Sequence, residues 1–582
     1  MSIDPVVPDG GQNGNGVEPP PQSFDDNAEH VEFGSFDHSE IPLEKEEWPV
    51  IIIGSSMVGM MTGLLLGYHG IKSISFDSHA PSGTHPRAAG LNYRTVEILR
   101  QLGLDKLAQA ESAKEFDVNA GMLVVEKIIG GKVIAQVQEK DAEIITEVTP
   151  GEGWLWITQA MFEPLLRANA GKFGCTQLYG RLIVHYEEDE DGVLVVVKDL
   201  NNQEYKKYRA KYLVACDGNR SSTRVKEGIK LSGAGVLRNS LSLRITGDMS
   251  PHLGTRSVHG VIYVLNSNIS GGFRLENQGQ SAIVMVNRAG DKNDFPKGSV
   301  TPEEARKYVY DLSGLPEDMD LSIAPCSYWT MTSYVADRLQ SRRGRVFIAG
   351  DAAHTMPPTG GLGGNTGVAD AHNLAWKLAF VLKGLASTEL LETYSRERQA
   401  IDAFVVDQAT RRFYNRVDHV QPPVEEEADL DVELGARYAD GATVGADKSV
   451  TKPFENILEP SGGVGCRFPH VWLSGSQTRI STLDLVKQKL VLVAAEPQSP
   501  WIAAAEKLPV SHVIDSYELH KSSAPWQDAE GKVRVKCQLQ PGEALLVRPD
   551  GFIAWRSRTN SKNDVDQVSE LQGVLHQLLG IR

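Results

Sequence analysis

From Trp48 the chain reads WPVIIIGSSMVGMMTGLLLGYHGIKSISFD, an apolar run, a glycine turn, a long apolar stretch and a second apolar run ending at Asp77. That order predicts a strand, a turn, a helix and a second strand, a βαβ unit. Between about 120 and 345 the pattern changes to short β-type runs separated by turns, among them VLVVVKDL, KYLVACDG, NSLSLRIT, VHGVIYVLN and SAIVMVNR. This is sheet material for a layer over a substrate. From Gly364 to about Leu385 a helical period returns, with Ala371, Leu374, Leu378, Leu382 and Leu385 on one face of a buried scaffold helix. Residues 416–455 lose periodicity and carry the acidic run VEEEADLDVE, read as a solvated interdomain connection. Beyond it, KLVLVAA, WIAAAEKL, PVSHVID, ALLVRPDGFIAWRS and SELQGVLHQLLG give β-α-β-β-β-α order and a separate α/β domain over 456–582.

Residues 1–47, rich in Pro, Gly, Asn, Asp and Glu, hold too little apolar surface to offset ordering entropy, so a disordered tail is expected with structure starting near Trp48. The 582 residues carry 59 Lys+Arg against 75 Asp+Glu, a net charge of −16, which repels phosphate backbones and anionic membranes. With no basic stripe, nucleic-acid binding is not expected and a small-molecule partner is. Five scattered cysteines form no CxxC pair and no Cys/His cluster at zinc spacing, so neither a disulfide framework nor a metal is expected. No signal-peptide pattern and no uninterrupted apolar stretch of about 18 residues is present, the pattern of a soluble cytoplasmic protein without a membrane partner.

Three motifs carry chemistry. In the first, Gly54, Ser55, Ser56, Met57, Val58 and Gly59 join strand to helix, and Asp77 ends the next strand 18 residues beyond Gly59. Gly54 permits the tight turn, Gly59 close packing of helix on strand, the helix amides face a pyrophosphate, and Asp77 accepts ribose hydroxyls. Ser56 stands where the dinucleotide fingerprint has its middle glycine, and glycine turns of this kind also serve purely structural ends. In the second, the strand Gly344–Ile348 delivers Gly350-Asp351, and a loop through Pro357, Pro358, Gly360, Gly361, Gly363, Gly364 and Asn365 opens onto the scaffold helix. Asp351 is placed for a polyol such as ribitol, and the Gly363, Gly364 and Asn365 amides for negative charge on a flavin. The third, Cys216-Asp217-Gly218 followed by Ser221 and Arg224, reads by itself as a turn and N-cap.

Together and in this order the motifs resemble the class A flavoprotein monooxygenases, the p-hydroxybenzoate hydroxylase and phenol hydroxylase family. His85-Pro86-Arg87-Ala88, the stretch Leu91 to Leu99, Thr158-Gln159 and Tyr394-Ser395-Arg396-Glu397-Arg398 strengthen the resemblance, which spans about 48–415. It implies an α/β fold, a Rossmann-like FAD-binding domain with an inserted β-sheet substrate domain, mainly 230–335. It also implies FAD, with Asp77 on the adenosine ribose, Arg87 and Gln159 near the ribityl and phosphate region, and Asp351 on the pyrophosphate or ribitol. Asp217 would support the pyrophosphate loop, Pro358 would offer its carbonyl near flavin and substrate, and the Gly361 to Asn365 loop would hold the ring. The C-terminal stretches from Phe468, Ser481 and Leu546 look like the thioredoxin-like extension of the phenol hydroxylase branch, without its redox cysteines.

The resemblance further implies that NAD(P)H reduces FAD, that O2 adds at flavin C4a, and that the resulting hydroperoxide passes one oxygen to an electron-rich phenolic or polyketide-type aromatic. Baeyer–Villiger or epoxidation chemistry, and a non-catalytic flavin-binding protein, are the alternatives. The phenol hydroxylase branch has an aspartate where this chain has Ala89, so the substrate-activating base and the catalytic residues have no assignment. Arg244, Tyr263 and Arg274 face either substrate or solvent. By analogy a homodimer is expected.

Overall fold

The computed structural model describes residues 33–581 apart from 35, 80–89, 118–120, 138–141, 152, 268, 289–293, 419, 495, 497, 520–524 and 558–563. The dinucleotide-type sheet runs in the order Cys175–Tyr179, Ser73–Asp77, Leu43–Ile53, Tyr205–Ala215, Val193–Asp199, Arg181–Glu188. The strand Tyr205–Ala215 is long enough to pair twice: its first half lies antiparallel to Val193–Asp199, its end parallel to Val346–Ile348. Parallel pairing puts the C-terminal ends of Leu43–Ile53, Tyr205–Ala215 and Val346–Ile348 side by side, where open α/β sheets bind ligands. The helices Met57–Tyr68 and Leu362–Leu382 cover one face through Met60, Leu64, Leu65, Val368, Ala371, Leu374 and Leu378.

A nine-stranded sheet gathers Leu231–Thr246, Val261–Leu265, Ile269–Glu276, Ser281–Arg288, Ser322–Ile323 and Ser327–Ala336, and takes in Met122–Val125 and Val133–Val137 from earlier in the chain and His354–Thr355 from later. The helix Pro302–Ser313, started by a Thr301/Glu304 capping box, covers its apolar face, where Leu241, Leu243, Phe273, Val284 and Val286 are buried with Val309 and Leu312.

The C-terminal unit has strand order Ile514–Glu518, Leu490–Ala494, Ala544–Val547, Ile553–Arg556, the first pair parallel and the rest antiparallel. Alternate residues of Leu490–Ala494 enter two cores, Leu490 and Leu492 with Trp501 and Leu575, Val491 and Val493 with Phe468 and Leu545. Burial on both faces is why this strand is apolar at every position. Trp376 and Phe380 of the scaffold helix enter the first of these cores and fasten the unit to the rest of the chain.

Four expectations need amending. The first strand begins at Leu43 rather than Trp48, and Phe33 and Phe36 already pack on Tyr186 and His185, so order reaches into the stretch read as tail. The scaffold helix spans Leu362–Leu382, starting within the glycine loop because the glycines themselves adopt helical backbone, and Leu385 lies past its end. A short helix, Lys532–Lys536, makes the C-terminal order β-α-β-α-β-β-α. The acidic run ends in a helix, Asp429–Leu434, that buries Leu430, Val432 and Leu434. Among the described residues no helix is long and apolar enough to cross a membrane.

Candidate functional site

The three motifs meet. Gly54 has φ +90°, and a β-carbon there would lie 2.5 Å from the Cys216 carbonyl oxygen, so the first turn presses directly on the Asp217 loop and admits only glycine. Cys216 N donates to Ile53 O at 2.8 Å and Ala349 N to Ala215 O at 3.0 Å, locking the three strand ends in step. A β-carbon on Gly364 would fall 2.3 Å from Met57 Cε, and one on Gly350 3.0 Å from Val58 Cγ2, so the two glycine turns are in contact.

Ser56 caps the helix Met57–Tyr68 with its backbone alone and its side chain stays exposed. The amides of the first turn therefore face outward without intrahelical partners. Asp77 sits behind them, with Oδ2 accepting from Ser55 N at 2.7 Å and Oδ1 from His79 N at 2.8 Å. Burial opposes its ionisation, but the His79 and Ser55 hydrogen bonds hold the carboxyl below its ordinary value. Gln159, at the start of the helix Gln159–Lys172, donates to Glu163 Oε1 at 2.6 Å, placing both near Met57 and Asp77. Burial pushes the Glu163 carboxyl up, against the pull of that bond. Arg87 and Ala89 lie outside the described residues.

Asp217 accepts Thr223 N on Oδ2 at 3.1 Å, while its Oδ1 is enclosed and finds no partner in the protein. Arg224 bridges the two acidic loops, donating to Ala352 O at 3.0 Å and Asn219 O at 2.9 Å. Asp351 is exposed at the strand end. Pro358 is exposed, and its carbonyl accepts Gly361 N at 3.0 Å. Gly361, at φ +62°, N-caps the scaffold helix and leaves the Leu362, Gly363 and Gly364 amides pointing out of its end. Besides the backbone amide it offers with Gly363 and Gly364, Asn365 has a fully engaged side chain, Oδ1 accepting from Asn92 N and Thr95 Oγ1, Nδ2 donating to Gly90 O and Gly361 O. It is a brace holding the 90–95 segment against the loop.

An exposed carboxylate, a buried carboxylate oxygen without a partner, and two helix N-termini that meet across the Met57 side chain suit a dinucleotide, whose ribityl hydroxyls donate and whose pyrophosphate accepts. Beneath the loop lies a buried cluster that the sequence reading passed over. Asp370 accepts Gly350 N at 3.0 Å and His354 Nε2 at 2.9 Å on one oxygen and Arg398 Nε at 2.7 Å on the other, and Arg398 continues to Asp402 at 2.8 Å. A lone aspartate in an apolar helix was the signal for it. Glu433, last of the acidic run, accepts Trp154 Nε1 at 3.1 Å and Tyr93 N at 3.3 Å, and Trp154 packs on Gly361. Burial pushes Glu433 up to about 8.

Facing away from its helix, the nine-stranded sheet presents a mixed row. Tyr263 pairs with Gly272, Gly272 with Met285 and Met285 with Ser242, whose hydroxyl accepts Trp329 Nε1 at 2.9 Å. Arg274 donates to Glu276 at 2.7 Å with Arg244 3.6 Å from the same carboxylate. This face joins the Asp351 loop through the pairing of His354–Thr355 with Tyr334–Val335.

Residues 47–409 match a family model described as an FAD binding domain, and residues 461–581 one described as the C-terminal region of aromatic-ring hydroxylases. A 4-methyl-5-nitrocatechol 5-monooxygenase from Burkholderia sp is 38% identical, covering 89% of this chain and 96% of its own. Aklavinone 12-hydroxylase RdmE from Streptomyces purpurascens is 32% identical over 92% of this chain and 100% of its own. Among solved structures, a ternary complex of aklavinone-11 hydroxylase with FAD and aklavinone superposes with a TM-score of 0.83 at 29% identity, covering 92% of this chain and 100% of that one.

Proposed function

This chain belongs to the family of FAD-binding aromatic-ring hydroxylases and is an FAD-dependent monooxygenase that draws on NAD(P)H, and from that premise we propose that it hydroxylates a phenolic or polyketide-type aromatic with oxygen taken from O2. The observation that carries the reading is the meeting of three sequence-distant acidic and glycine turns beside a half-buried polar sheet face. When bound, FAD supplies the electron relay from NAD(P)H and the means of activating oxygen. The chain's own residues bind and orient. The first-turn amides near Ser56, Met57, Val58 and Gly59 would receive the pyrophosphate, Asp77 and Gln159 the adenosine side, Asp217 the pyrophosphate loop, and Asp351 the ribityl hydroxyls. The amides at Gly363 and Gly364 and the N-terminal end of the scaffold helix would favour negative charge on the flavin ring, with Pro358 and Gly361 along its edge. Trp154, packed on Gly361, and Trp156, packed on Gly260, stand 5.1 Å apart edge to face between loop and sheet. Ser242, Tyr263 and Trp329 give the sheet face hydroxyl and aromatic surface suited to an oxygenated ring system.

The purified protein should be yellow, and phenolic or polyphenolic compounds should accelerate NADPH-dependent loss of that colour. The product should gain a single oxygen on the ring. A colourless protein that takes up no FAD, or colour loss indifferent to every aromatic compound, would overturn the proposal. An oxygen inserted inside a ring would replace hydroxylation by Baeyer–Villiger chemistry.

A further inference from the structure

Away from the flavin site, two groups of metal-binding side chains come together among the described residues. In the first, His354, Asp370 and Asp402, the cation's seat is taken, because Arg398 binds both carboxylates. The second, His38, His185 and Glu187, holds no such cation, and its three donor atoms lie within 4.8 Å of one another.

His185 and Glu187 stand two residues apart on the strand Arg181–Glu188, so both side chains leave the same face. His38 arrives from the N-terminal segment. Its backbone carbonyl accepts Lys207 Nζ at 2.9 Å and Ile41 N at 3.1 Å, and Phe36 stacks on the His185 ring with centroids 6.0 Å apart. The tautomer of His185 follows from chemistry. Its Nδ1 lies 3.1 Å from the Gly34 carbonyl, which can only accept, so Nδ1 carries the proton. In the neutral ring Nε2 then aims a lone pair at Glu187 Oε1, 3.3 Å away, and His38 Nε2 stands 3.4 Å from the same oxygen. With both Nε2 atoms unprotonated, two nitrogen lone pairs and a carboxylate oxygen converge on one point, the donor set that a single cation would satisfy. Zinc–ligand bonds of about 2.0–2.1 Å in a tetrahedron place neighbouring donors about 3.3–3.4 Å apart, which matches both separations. The Nδ1–carbonyl bond is also the outer partner that metal-ligating histidines use to fix their ring. His38 Nδ1 has no partner in the protein, and the ring is held by its contact with the His185 ring, centroids 5.5 Å apart, and by Nε2 facing Glu187.

We propose that His38 Nε2, His185 Nε2 and the Glu187 carboxylate bind a divalent transition metal of the zinc type, which staples the N-terminal segment to the outer strands of the dinucleotide-type sheet. Two imidazoles and a carboxylate, without thiolate, suit zinc, with water completing the shell at the exposed Glu187 side. Of the three ligands, His38 precedes the family match, which begins at residue 47, while His185 and Glu187 lie within it.

The test uses untagged, full-length, FAD-containing protein stripped with a chelator and titrated with zinc(II) alone. Native mass spectrometry should show a single tightly held ion per chain, and cobalt(II) alone should give the visible bands of a tetrahedral N/O site. His38→Ala and Glu187→Gln should weaken zinc binding by more than the roughly 10–100-fold that loss of an outer-shell partner costs. Flavin absorbance should be unaltered in both variants, which shows that the chain is folded. Zinc should also protect the segment before Leu43, which holds Phe33 and Phe36 but no Lys or Arg, from chymotrypsin in the parent protein and not in the variants. No uptake by the parent protein, or equal uptake by parent and variants, would overturn the site. Uptake without protection would overturn the staple.

Discussion

Glu397 and Arg398 are consecutive residues of one buried helix, Glu389–Arg416, yet they serve two different clusters. Glu397 turns to the C-terminal unit, where its carboxylate accepts Arg548 at 2.6 and 2.8 Å, Lys377 at 2.7 Å, Asn373 at 2.6 Å and the Ala442 amide at 2.6 Å. Arg548 is held in turn by Asp550. Arg398 turns to the loop beneath the proposed flavin site, where it and His354 share Asp370 and Asp402. The first cluster leaves neither oxygen of Glu397 without a donor. In the second, His354 Nδ1 and Asp402 Oδ2 have no partner. In the first cluster only the neutral Asn373 Oδ1 lacks a partner, and a buried cluster whose charges are all paired acts as a fastener, because any loss strands a charge in low dielectric. An unsaturated one keeps a proton to gain or lose, and here it lies directly under Gly350 and Asp351.

The largest effect should come from breaking the fastener. Arg548→Met leaves Asp550 buried without its cation and Glu397 with Lys377 alone, and should cost about 3–5 kcal/mol of stability, read in thermal unfolding. A loss below about 1 kcal/mol would mean that the junction tolerates the change and that the contrast is false. Next comes the loop itself. Asp351→Ala should leave the fold intact but weaken FAD retention by about 10–100-fold, the worth of a hydrogen bond to a charged group of about 1.5–3 kcal/mol. Flavin absorbance after gel filtration measures it, and a fully loaded variant would remove Asp351 from the site.

The third prediction separates the clusters by pH. Burial works against a charged His354, yet Asp402 and Asp370 raise it from 6.5 to about 9. A histidine raised on folding contributes stability that is fully present below pH 6.5 and lost as pH climbs through about 9. Thermal stability and FAD retention should therefore decline across that window in the parent protein, and the His354→Gln variant should lack that component. Parallel profiles would show that the cluster does not titrate. The remaining prediction concerns Glu433, outside both clusters. Its folded pKa, pushed from 4.5 to about 8 by burial and then by Asp429, makes the folded state lose stability as pH rises between those values. Glu433→Gln should match the parent protein near pH 4.5 and melt above it at pH 9, and an unchanged difference across that range would refute the assignment.

Much of the proposed flavin site was legible because its demands are local. Gly54, Gly59 and Asp77 declare themselves by spacing, since a tight turn and a strand end each involve a few consecutive residues. Asn365 shows the limit: its place at the mouth of the scaffold helix was visible, but its use as a brace for Asn92 and Thr95 was not, because those residues lie 273 and 270 positions away. Glu433 is similar. In a run of carboxylates nothing marks the one that Trp154 and the Tyr93 amide enclose.

The amino-acid order alone determined the strand-and-turn framework, the scaffold helix, the glycine turns and the chemical class of ligand, since backbone conformation and apolar periodicity are written in neighbouring residues. Only the tertiary structure decided which charges are buried and opposite what. Glu397 and Arg548 are 151 positions apart, and His38 reaches His185 from a segment too polar to predict its own order. Pairing at such separations depends on how whole layers pack, and desolvation, which sets what each pair is worth, exists only once they have.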